Sequence, residues 1–331
     1  MSEGKERSEA RLANLRAIEP LLGALRVLSL STMQMALNRQ ASLTVYAERF
    51  ALVAAQVRAQ AGREITLTEV EERFDYRPVE KYQVLAVIGS SRGICGQYNK
   101  QLARLAAQHL EAAADLPANV LAFGVRAQRA LTQEGVRFEA REALGQGSMP
   151  AYDLAARLMR EWTASFQTGR LVRVEILSFR KGSAGANYKP VLTTLLPENG
   201  GEAGEAGQKE LPWPPPVIEG SPESMIEQID KHLLAIRFYQ LILDAIAAEN
   251  LYRYRLLEEA KENTSNLLEE LALAIQAERR KEITQQLQEP GVERSAEQRV
   301  HLGHQLELFI QRQRNVVGAG TRHHADELVS I

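Results

Sequence analysis

A glycine-rich segment between two apolar stretches carries the side chains with the most chemical potential in this sequence. Residues 89–96 read Gly-Ser-Ser-Arg-Gly-Ile-Cys-Gly; they follow a predicted strand and precede a predicted helix, which is where phosphate-binding loops lie. The segment lacks the Lys-Ser/Thr pair of a Walker A loop and the glycine spacing of the dinucleotide fingerprint. The pattern therefore favours a tight structural turn over a nucleotide site, and no cofactor is predicted.

Cys95, within this segment, is the single cysteine of the 331-residue chain. A thiol at a helix N-terminus has a lowered pKa, so Cys95 is a candidate nucleophile. No histidine lies near it in the sequence, and a packed small side chain is the favoured interpretation. One cysteine also excludes an intrachain disulfide and the zinc fingers and ribbons that need at least two, and it fits a reducing compartment.

Four of the six histidines lie near the C-terminus: His301, His304, His323 and His324. His301 and His304, with Glu307, have the spacing to share a helix face and bind a metal ion, but Gly303 weakens that helix and a solvated tail is favoured. The charged cluster at residues 278–282 is typical of a solvated helix face. Because no acid, base and nucleophile set is assembled, we predict no catalytic activity for the chain itself.

Charge and composition exclude several classes of protein. The 40 basic and 42 acidic side chains give a formal net charge of −2, which argues against a nucleic-acid binder that depends on a strong positive field. The N-terminus has no basic-then-apolar signal peptide. Arg16, Glu19 and Arg26 interrupt the apolar stretches near the start, so no membrane span is predicted there.

Two long helical patterns bracket the chain. Between about residues 8 and 62, apolar residues recur at three- and four-residue steps, and Pro20 either kinks this helix or marks its start. Ser221 is a candidate N-cap with Pro222 at the first helical position, and no glycine or proline follows until Pro290. Because each helix needs a partner for its apolar stripe, an antiparallel intramolecular coiled coil is the simplest arrangement.

The middle of the chain has the pattern of an α/β unit with a largely parallel sheet. Strands are predicted at residues 82–88, 119–124, 171–177 and 191–195, and helices at about 98–114, 125–134 and 151–166. We therefore predict an α/β fold class: a long antiparallel coiled coil of N- and C-terminal helices plus a small Rossmann-like α/β domain. The predicted segments are an N-terminal coiled-coil helix (1–75), the α/β domain (76–197), a Pro/Gly-rich loop (198–220), a C-terminal coiled-coil helix (221–289) and a tail (290–331).

Two motifs carry a resemblance to a known family. Residues 90–99, Ser-Ser-Arg-Gly-Ile-Cys-Gly-Gln-Tyr-Asn, resemble the Ser-Asp-Arg-Gly-Leu-Cys-Gly-Gly-Tyr-Asn signature of the gamma subunit of F-type ATP synthase. The C-terminal helix resembles that family's terminal block, which ends in Ile-Thr-Gln-Glu-Leu; the matching positions are Glu249, Arg253, Asn263, residues 266–268, Glu270, Leu271, Arg279 and residues 283–287. The resemblance covers roughly residues 8–289.

The resemblance implies a non-catalytic rotor without a cofactor, whose two helices turn inside a ring of three alpha and three beta subunits. It also implies contacts with the epsilon subunit and with a proton-driven c-ring. Membrane association is then indirect, on the cytoplasmic side of the cell membrane. By the same resemblance, the rotor–ring contacts fall at Arg253, Arg279, Arg280, Thr284 and Gln285, and the signature turn at Arg92, Gly93, Cys95, Gly96 and Asn99.

This sequence also departs from the family's pattern. Where the family's N-terminal helix reads Asn-Thr-Gln-Lys-Ile-Thr, this chain has Pro-Leu-Leu-Gly-Ala-Leu at residues 20–25, so the polar and basic face is largely gone. The signature Asp is Ser91, and the second Gly of its Gly-Gly pair is Gln97. The chain also continues for about 44 residues beyond the family's usual end. A divergent gamma-like regulator or scaffold that acts through this tail is therefore the alternative function.

Overall fold

The computed structural model describes residues 3–61, 80–113, 115–141, 150, 152–182, 187–197 and 219–288, together with positions 303 and 305. Its elements, in chain order, are α1 (Glu3–Ala61), β1 (Tyr82–Ile88), α2 (Tyr98–Ala112), β2 (Ala118–Phe123), α3 (Val125–Gln133), β3 (Glu139–Arg141), α4 (Tyr152–Gln167), β4 (Leu171–Lys181), β5 (Tyr188–Leu196) and α5 (Pro222–Gln288). The part of the predicted N-terminal helix after residue 61, most of the Pro/Gly-rich loop and the tail beyond residue 288, positions 303 and 305 apart, lie outside the described residues.

The sheet is largely parallel, as the sequence predicts. Its strand order is β3-β2-β1-β4-β5, and β1 pairs in parallel with both β2 and β4. Residues 84–88 of β1 are all buried, because a central parallel strand is covered on both faces. The prediction left two features unspecified: β5 runs antiparallel to β4, and the three-residue strand β3, which is exposed throughout, adds a parallel edge beside β2.

The helix α1 is continuous through Pro20, so the interpretation that Pro20 marks the helix start is wrong. At the other helix, Ser221 and Pro222 occupy the predicted positions. The backbone N–H of Ser224 donates to the Ser221 hydroxyl oxygen at 3.4 Å, and Pro222 is the first residue of α5.

The described residues form two compact units, one of residues 10–270 and one of residues 3–9 with 271–288. Within the first unit, polar contacts pair α1 with α5 in antiparallel order, because the partner on α5 moves back along the chain as the position on α1 moves forward. These contacts are Arg26 with Glu258, Gln40 with Asp244 at 2.7 Å, Thr44 with Gln240 at 3.4 Å, and Arg58 with Asp230. The predicted antiparallel helix pair beside an α/β domain is therefore confirmed.

Candidate functional site

The signature turn, residues 89–99, follows the carboxyl end of β1. Its backbone passes very close to residues at the end of β2 and the start of α3. The Gly89 amide donates to the Phe123 carbonyl oxygen at 3.0 Å, and a Cβ at Gly89 would lie 2.3 Å from the Ala127 Cβ. The next strand ends at Gly124, with a φ of +98°, where a Cβ would lie 2.7 Å from the carbonyl oxygens of both Gly89 and Ser90. Glycine is required at Gly124 for both the conformation and the space.

The polar groups of the turn bond to one another. The Ser90 amide donates to Asn99 Oδ1 at 3.0 Å, and Asn99 Nδ2 donates to Ser90 Oγ at 2.8 Å. Ser90 Oγ donates to the Arg92 carbonyl oxygen at 3.1 Å, and the Cys95 thiol donates to the same oxygen at 3.3 Å. The Tyr98 amide, at the start of α2, donates to the Cys95 carbonyl oxygen at 3.1 Å. Several of the donors that a phosphate would need are therefore used inside the turn.

The thiol of Cys95 is buried, with 4% of the residue exposed. Burial raises the pKa of this thiol, and its hydrogen-bond contact with Ser90 only partly opposes the shift. Since the thiolate is the nucleophile, the environment suppresses its reactivity, which supports the packed-side-chain interpretation.

Arg253 of helix α5 binds the signature turn by hydrogen bonding. Its Nε donates to the Gly93 carbonyl oxygen at 3.3 Å, its Nη1 donates to Asn250 Oδ1 at 2.9 Å, and its Nη2 pairs with the Glu249 carboxylate. Burial raises the pKa of Glu249, and the positive charges of Arg253 and Arg92 oppose that shift. The pair thus ties the signature turn to one turn of α5 by charge-assisted hydrogen bonds.

Aromatic rings fill the space between β4, α2 and α5. Tyr98 is 1% exposed, and its ring stacks on Phe179 with centroids 4.3 Å apart. Its hydroxyl donates to the Ala245 carbonyl oxygen at 3.1 Å, and Tyr252 meets the Tyr98 and Phe179 rings edge-on at 5.7 and 5.3 Å.

In this strand order, β1 and β4 mark the topological switch point, whose carboxyl-end crevice is the usual ligand site of open α/β sheets. At this end of the sheet, Arg253 of α5 contacts the turn after β1, and Tyr252 of α5 packs against Phe179 of β4. The arrangement therefore supports the prediction of a structural turn, and this turn joins the sheet to helix α5.

The residues predicted to contact a surrounding ring have different surroundings. Arg279, Arg280, Thr284 and Gln285 are exposed; Arg279 pairs with Glu9 at 2.8 Å, and Thr284 donates to the Arg280 carbonyl oxygen at 2.9 Å. Arg253 is 6% exposed and its donors bond within the chain. Arg253 therefore lies buried inside the chain, a placement that the resemblance alone did not indicate.

No group of three or more His, Cys, Asp or Glu side chains suited to a metal ion occurs among the residues that the structure describes. The candidate ligands His301, His304 and Glu307 lie outside those residues.

Sequence reasoning missed a second junction, around His232 of α5. Its Nε2 lies 3.1 Å from the Tyr46 hydroxyl of α1, and its Nδ1 lies 3.0 Å from the Tyr152 hydroxyl of α4. Phe50 packs beside the imidazole with centroids 4.9 Å apart, and burial lowers the pKa of His232. Three helices distant in sequence meet here, and no local spacing in the sequence marks such a contact.

Comparison with known proteins shows similarity to ATP synthase proteins over most of the chain. The ATP synthase family model matches residues 6–289. The ATP synthase gamma chain of Rhodopirellula baltica is 23% identical over 291 residues, covering 85% of this chain and 94% of the relative. That of Heliobacterium modesticaldum is 21% identical over 285 residues, covering 84% and 94%.

Solved structures share the fold. The Euglena gracilis mitochondrial ATP synthase rotor, in rotational state 1, contains a chain with a TM-score of 0.52 and 15% identity, over 85% of this chain and 99% of that one. A chain of the OSCP/F1/c-ring assembly from the same organism, in rotational state 3, gives 0.52 and 14%, over 88% and 98%. Since the family model spans both long helices and the α/β domain between them, the chain belongs to the gamma-subunit family of F-type ATP synthases, the central-stalk subunits.

Proposed function

We propose that this chain is the non-catalytic axle of a proton-translocating F-type ATP synthase, in which rotation of a c-ring drives ATP synthesis or hydrolysis by an alpha/beta hexamer. The observation that carries the proposal is the antiparallel pairing of α1 with α5 in a chain of the gamma family. An off-axis pair of helices meets each subunit of a surrounding ring with a different face, and differential contacts are what allow it to bias those subunits between states.

The proposed partners are three alpha and three beta subunits around the helix pair, with the epsilon subunit and the c-ring against the α/β domain. The chain would then be peripheral to the membrane, on its cytoplasmic side, and held there by these partners. In this proposal, the chain keeps the division into an N-terminal helix (1–75), an α/β domain (76–197), a loop (198–220), a C-terminal helix (221–289) and a tail (290–331).

Within this proposal, the contacts with the ring are made by Arg279, Arg280, Thr284 and Gln285. Their exposure supports the role, because their side chains are accessible to a partner. Charge-assisted bonds that form and break at each step need to be modest in strength, which suits exposed arginines.

The signature turn has a different part in the same proposal, carried by Arg92, Gly93, Cys95, Gly96 and Asn99. Since Arg253 and Tyr98 bind this region to α5, the turn transmits force between the helix pair and the α/β domain. A joint with its polar groups satisfied internally resists that force better than an exposed contact of the same size.

The test is co-expression of the tagged chain with the alpha and beta subunits of its own organism. The expected result is a complex that contains alpha and beta in threefold excess and hydrolyses ATP, while the isolated chain does not. A chain that elutes alone, with alpha and beta in the unbound fraction, contradicts the proposal.

Deletion of residues 291–331 separates the axle from a regulator or scaffold that acts through the tail. The axle is expected to assemble and to support ATP hydrolysis by the ring at an unchanged rate without those residues. Assembly that is retained while hydrolysis loses its regulation would favour the scaffold instead.

A further inference from the structure

The imidazole of His232 lies where three helices meet, and both of its nitrogens have a hydroxyl partner. Nε2 lies 3.1 Å from the Tyr46 hydroxyl oxygen of α1, and Nδ1 lies 3.0 Å from the Tyr152 hydroxyl oxygen of α4. The Phe50 ring packs against the same imidazole. We call these four side chains the His232 junction. Because α4 belongs to the α/β domain, this junction links that domain to the helix pair.

The His232 junction lies at one end of the contact between α5 and the α/β domain. Residues 234–250 of α5 are mostly buried, and the contact of Arg253 with the Gly93 carbonyl oxygen lies at the other end of this stretch. A helix rises about 30 Å between positions 232 and 253. Opening of the His232 junction would therefore release one end of the attachment and leave the Arg253 end closed.

Protonation of His232 changes which groups can donate in the junction. A neutral imidazole has one N–H donor and one acceptor nitrogen, so one tyrosine donates to the ring and the other accepts from it. In the protonated ring both nitrogens donate, so both hydroxyl oxygens have to accept. The tyrosine that donated before must then direct its O–H away from the ring. A proton therefore rearranges the contact between the three helices.

The surroundings of His232 also disfavour a positive charge. No ion pair of His232 with a carboxylate occurs within the described part of the chain. The charged groups of the three helices near the junction are paired with other residues or exposed, and Tyr239 adds a titratable ring edge-on to Tyr152. The charged groups are Asp230 with Arg58, Lys231 with Glu227, Asp153 and Arg160 near Tyr152, and Glu48 and Arg49 of α1.

Burial lowers the pKa of His232, so the folded chain binds a proton there less readily than the unfolded chain does. The stability that the junction contributes is complete above the ordinary histidine pKa of about 6.5 and is lost progressively as the pH falls below it. Protons can reach the ring without global unfolding, because His232 is only half-buried and its partner Tyr46 is 45% exposed.

We propose that the His232 junction is a proton-sensitive contact, which holds α4 against the helix pair while the imidazole is neutral and opens locally when the imidazole is protonated. Its consequence rests on the proposed axle function. An axle that transmits rotation between the α/β domain and the helix pair becomes less stiff when one end of their attachment opens. Proton pumping is then less tightly coupled to ATP hydrolysis at acidic pH.

The first test measures amide hydrogen exchange of the isolated full chain at about pH 7.5 and about pH 5.5, a range in which histidine changes charge. Rates are corrected for the intrinsic effect of pH on exchange. Peptides from residues 152–160 and 46–58 are expected to lose protection by about fivefold or more at the lower pH, which is the lower end of the range for coupled equilibria. Peptides around Gly93 are expected to keep their protection.

Three variants assign this response to the junction. His232→Gln can donate and accept but cannot be protonated, so its protection should differ by less than about twofold between the two pH values. Tyr152→Phe removes the partner of Nδ1 and should raise exchange at the start of α4 already at neutral pH. His109→Gln is the matched control, because His109 lies 2.7 Å from a Glu175 carboxylate oxygen, away from the junction, and its loss should leave the wild-type response unchanged.

The second test uses the complete complex in membrane vesicles and varies the pH on the side of the alpha and beta subunits. The ratio of proton pumping to ATP hydrolysis is expected to fall at the lower pH for the wild type and for His109→Gln, and to stay constant for His232→Gln. Because the ratio is compared among variants at the same pH, the pH dependence of hydrolysis itself cancels.

Several results overturn the inference. Equal loss of protection in the wild type and in His232→Gln would show that the junction does not sense protons. If His232→Gln fails to fold, Tyr152→Phe decides, since unchanged exchange at the start of α4 would mean that the hydroxyl contact does not hold that helix. A wild-type imidazole NMR signal, identified by its absence in His232→Gln, that titrates at or above the ordinary value would also contradict it.

The two tests separate the junction from the axle function. If the chain does not assemble with alpha and beta, the proposed function fails, while hydrogen exchange of the isolated chain still decides whether the junction responds to protons. If the junction opens in the isolated chain but the coupling ratios of the wild type and His232→Gln stay equal, its proposed role in coupling is wrong and the axle function stands.

Discussion

Arg253 and Arg279 lie on the same helix, and their surroundings are opposite. Arg253 is 6% exposed and holds the Gly93 carbonyl oxygen, Asn250 and Glu249 at once. The Arg279 side chain is 52% exposed and makes a single ion pair with Glu9. A buried guanidinium with its donors bonded stabilises the chain that contains it, whereas an exposed one keeps donors accessible to a partner.

The same contrast separates the signature turn from the exposed apolar side chains of α1. The turn bonds several of its polar groups to one another and buries its single thiol. Leu21, Leu28 and Met35 of α1 are between 49% and 60% exposed. The motif that carries the family resemblance therefore bonds inside the chain, whereas these apolar side chains are accessible from solvent. Substitutions in the signature turn are expected to change stability, and substitutions of exposed residues are expected to change assembly.

Arg253→Ala is expected to have the largest effect on stability. It leaves the Glu249 carboxylate and the Gly93 carbonyl without their shared donor, and breaking such a buried pair costs about 3–5 kcal/mol. The measurement is the free energy of unfolding of the isolated chain in urea. Arg255→Ala is the control, because Arg255 is exposed two positions further along α5, and its loss is expected to change stability by less than about 0.5 kcal/mol. Equal effects of the two substitutions would contradict the distinction between buried and exposed arginines.

Gly96→Ala is expected to follow. Gly96 has a φ of +52°, and an added Cβ would lie 3.3 Å from the Leu256 Cδ1 on α5. A left-handed conformation costs a non-glycine residue about 1–2 kcal/mol, so the free energy of unfolding should fall by that amount. Gly23→Ala is the same chemical change within α1, where nothing lies within 4 Å of the added Cβ, and it should stabilise the chain by about 0.5–1 kcal/mol. If both substitutions shifted stability in the same direction, the assigned strain at Gly96 would be wrong.

Reaction of Cys95 with iodoacetamide tests the interior of the turn with a smaller perturbation. Burial raises the pKa of this thiol, so the thiolate fraction at any pH below that pKa is lower than for a free cysteine. The alkylation rate of the native chain at pH 8 is expected to be lower than that of the urea-unfolded chain, and to keep rising with pH beyond the point where the unfolded chain levels off. A native rate equal to the unfolded rate would mean that the turn is open.

The sequence was sufficient to predict the elements whose pattern lies within a short stretch of residues. The continuous apolar run at residues 82–88 and the Ser221–Pro222 helix start predict β1 and the beginning of α5, and both are confirmed. The stripe of apolar residues on each long helix predicts their pairing, because only the other helix of this chain is long enough to cover it. The signature motif predicts a turn rather than a ligand loop, which its internal hydrogen bonds support.

The rest depends on contacts between residues far apart in the chain. The exposed strand β3 has three residues with no apolar pattern, so nothing local distinguishes it from a loop. The burial of Arg253 follows from the position of Gly93, 160 residues earlier, and His232 is placed by Tyr46 and Tyr152. A motif on one helix indicates that a residue is important. Whether that residue is buried or exposed depends on its contacts with residues distant in the sequence.

Arg279→Ala is expected to have the smallest effect on stability and to test the exposed side of the comparison. An exposed ion pair such as that with Glu9 is worth about 0.2–1 kcal/mol, so the free energy of unfolding of the isolated chain should change by no more than this. In the complex with alpha and beta, the same substitution should lower ATP-driven proton pumping relative to ATP hydrolysis, because the proposed contact of Arg279 with the ring is lost. Glu9→Gln is the control, since it removes the same intrachain ion pair and leaves the guanidinium in place. If Glu9→Gln reduced pumping as much as Arg279→Ala, the ion pair itself would be the important contact, and Arg279 would belong with Arg253 among the residues that act inside the chain.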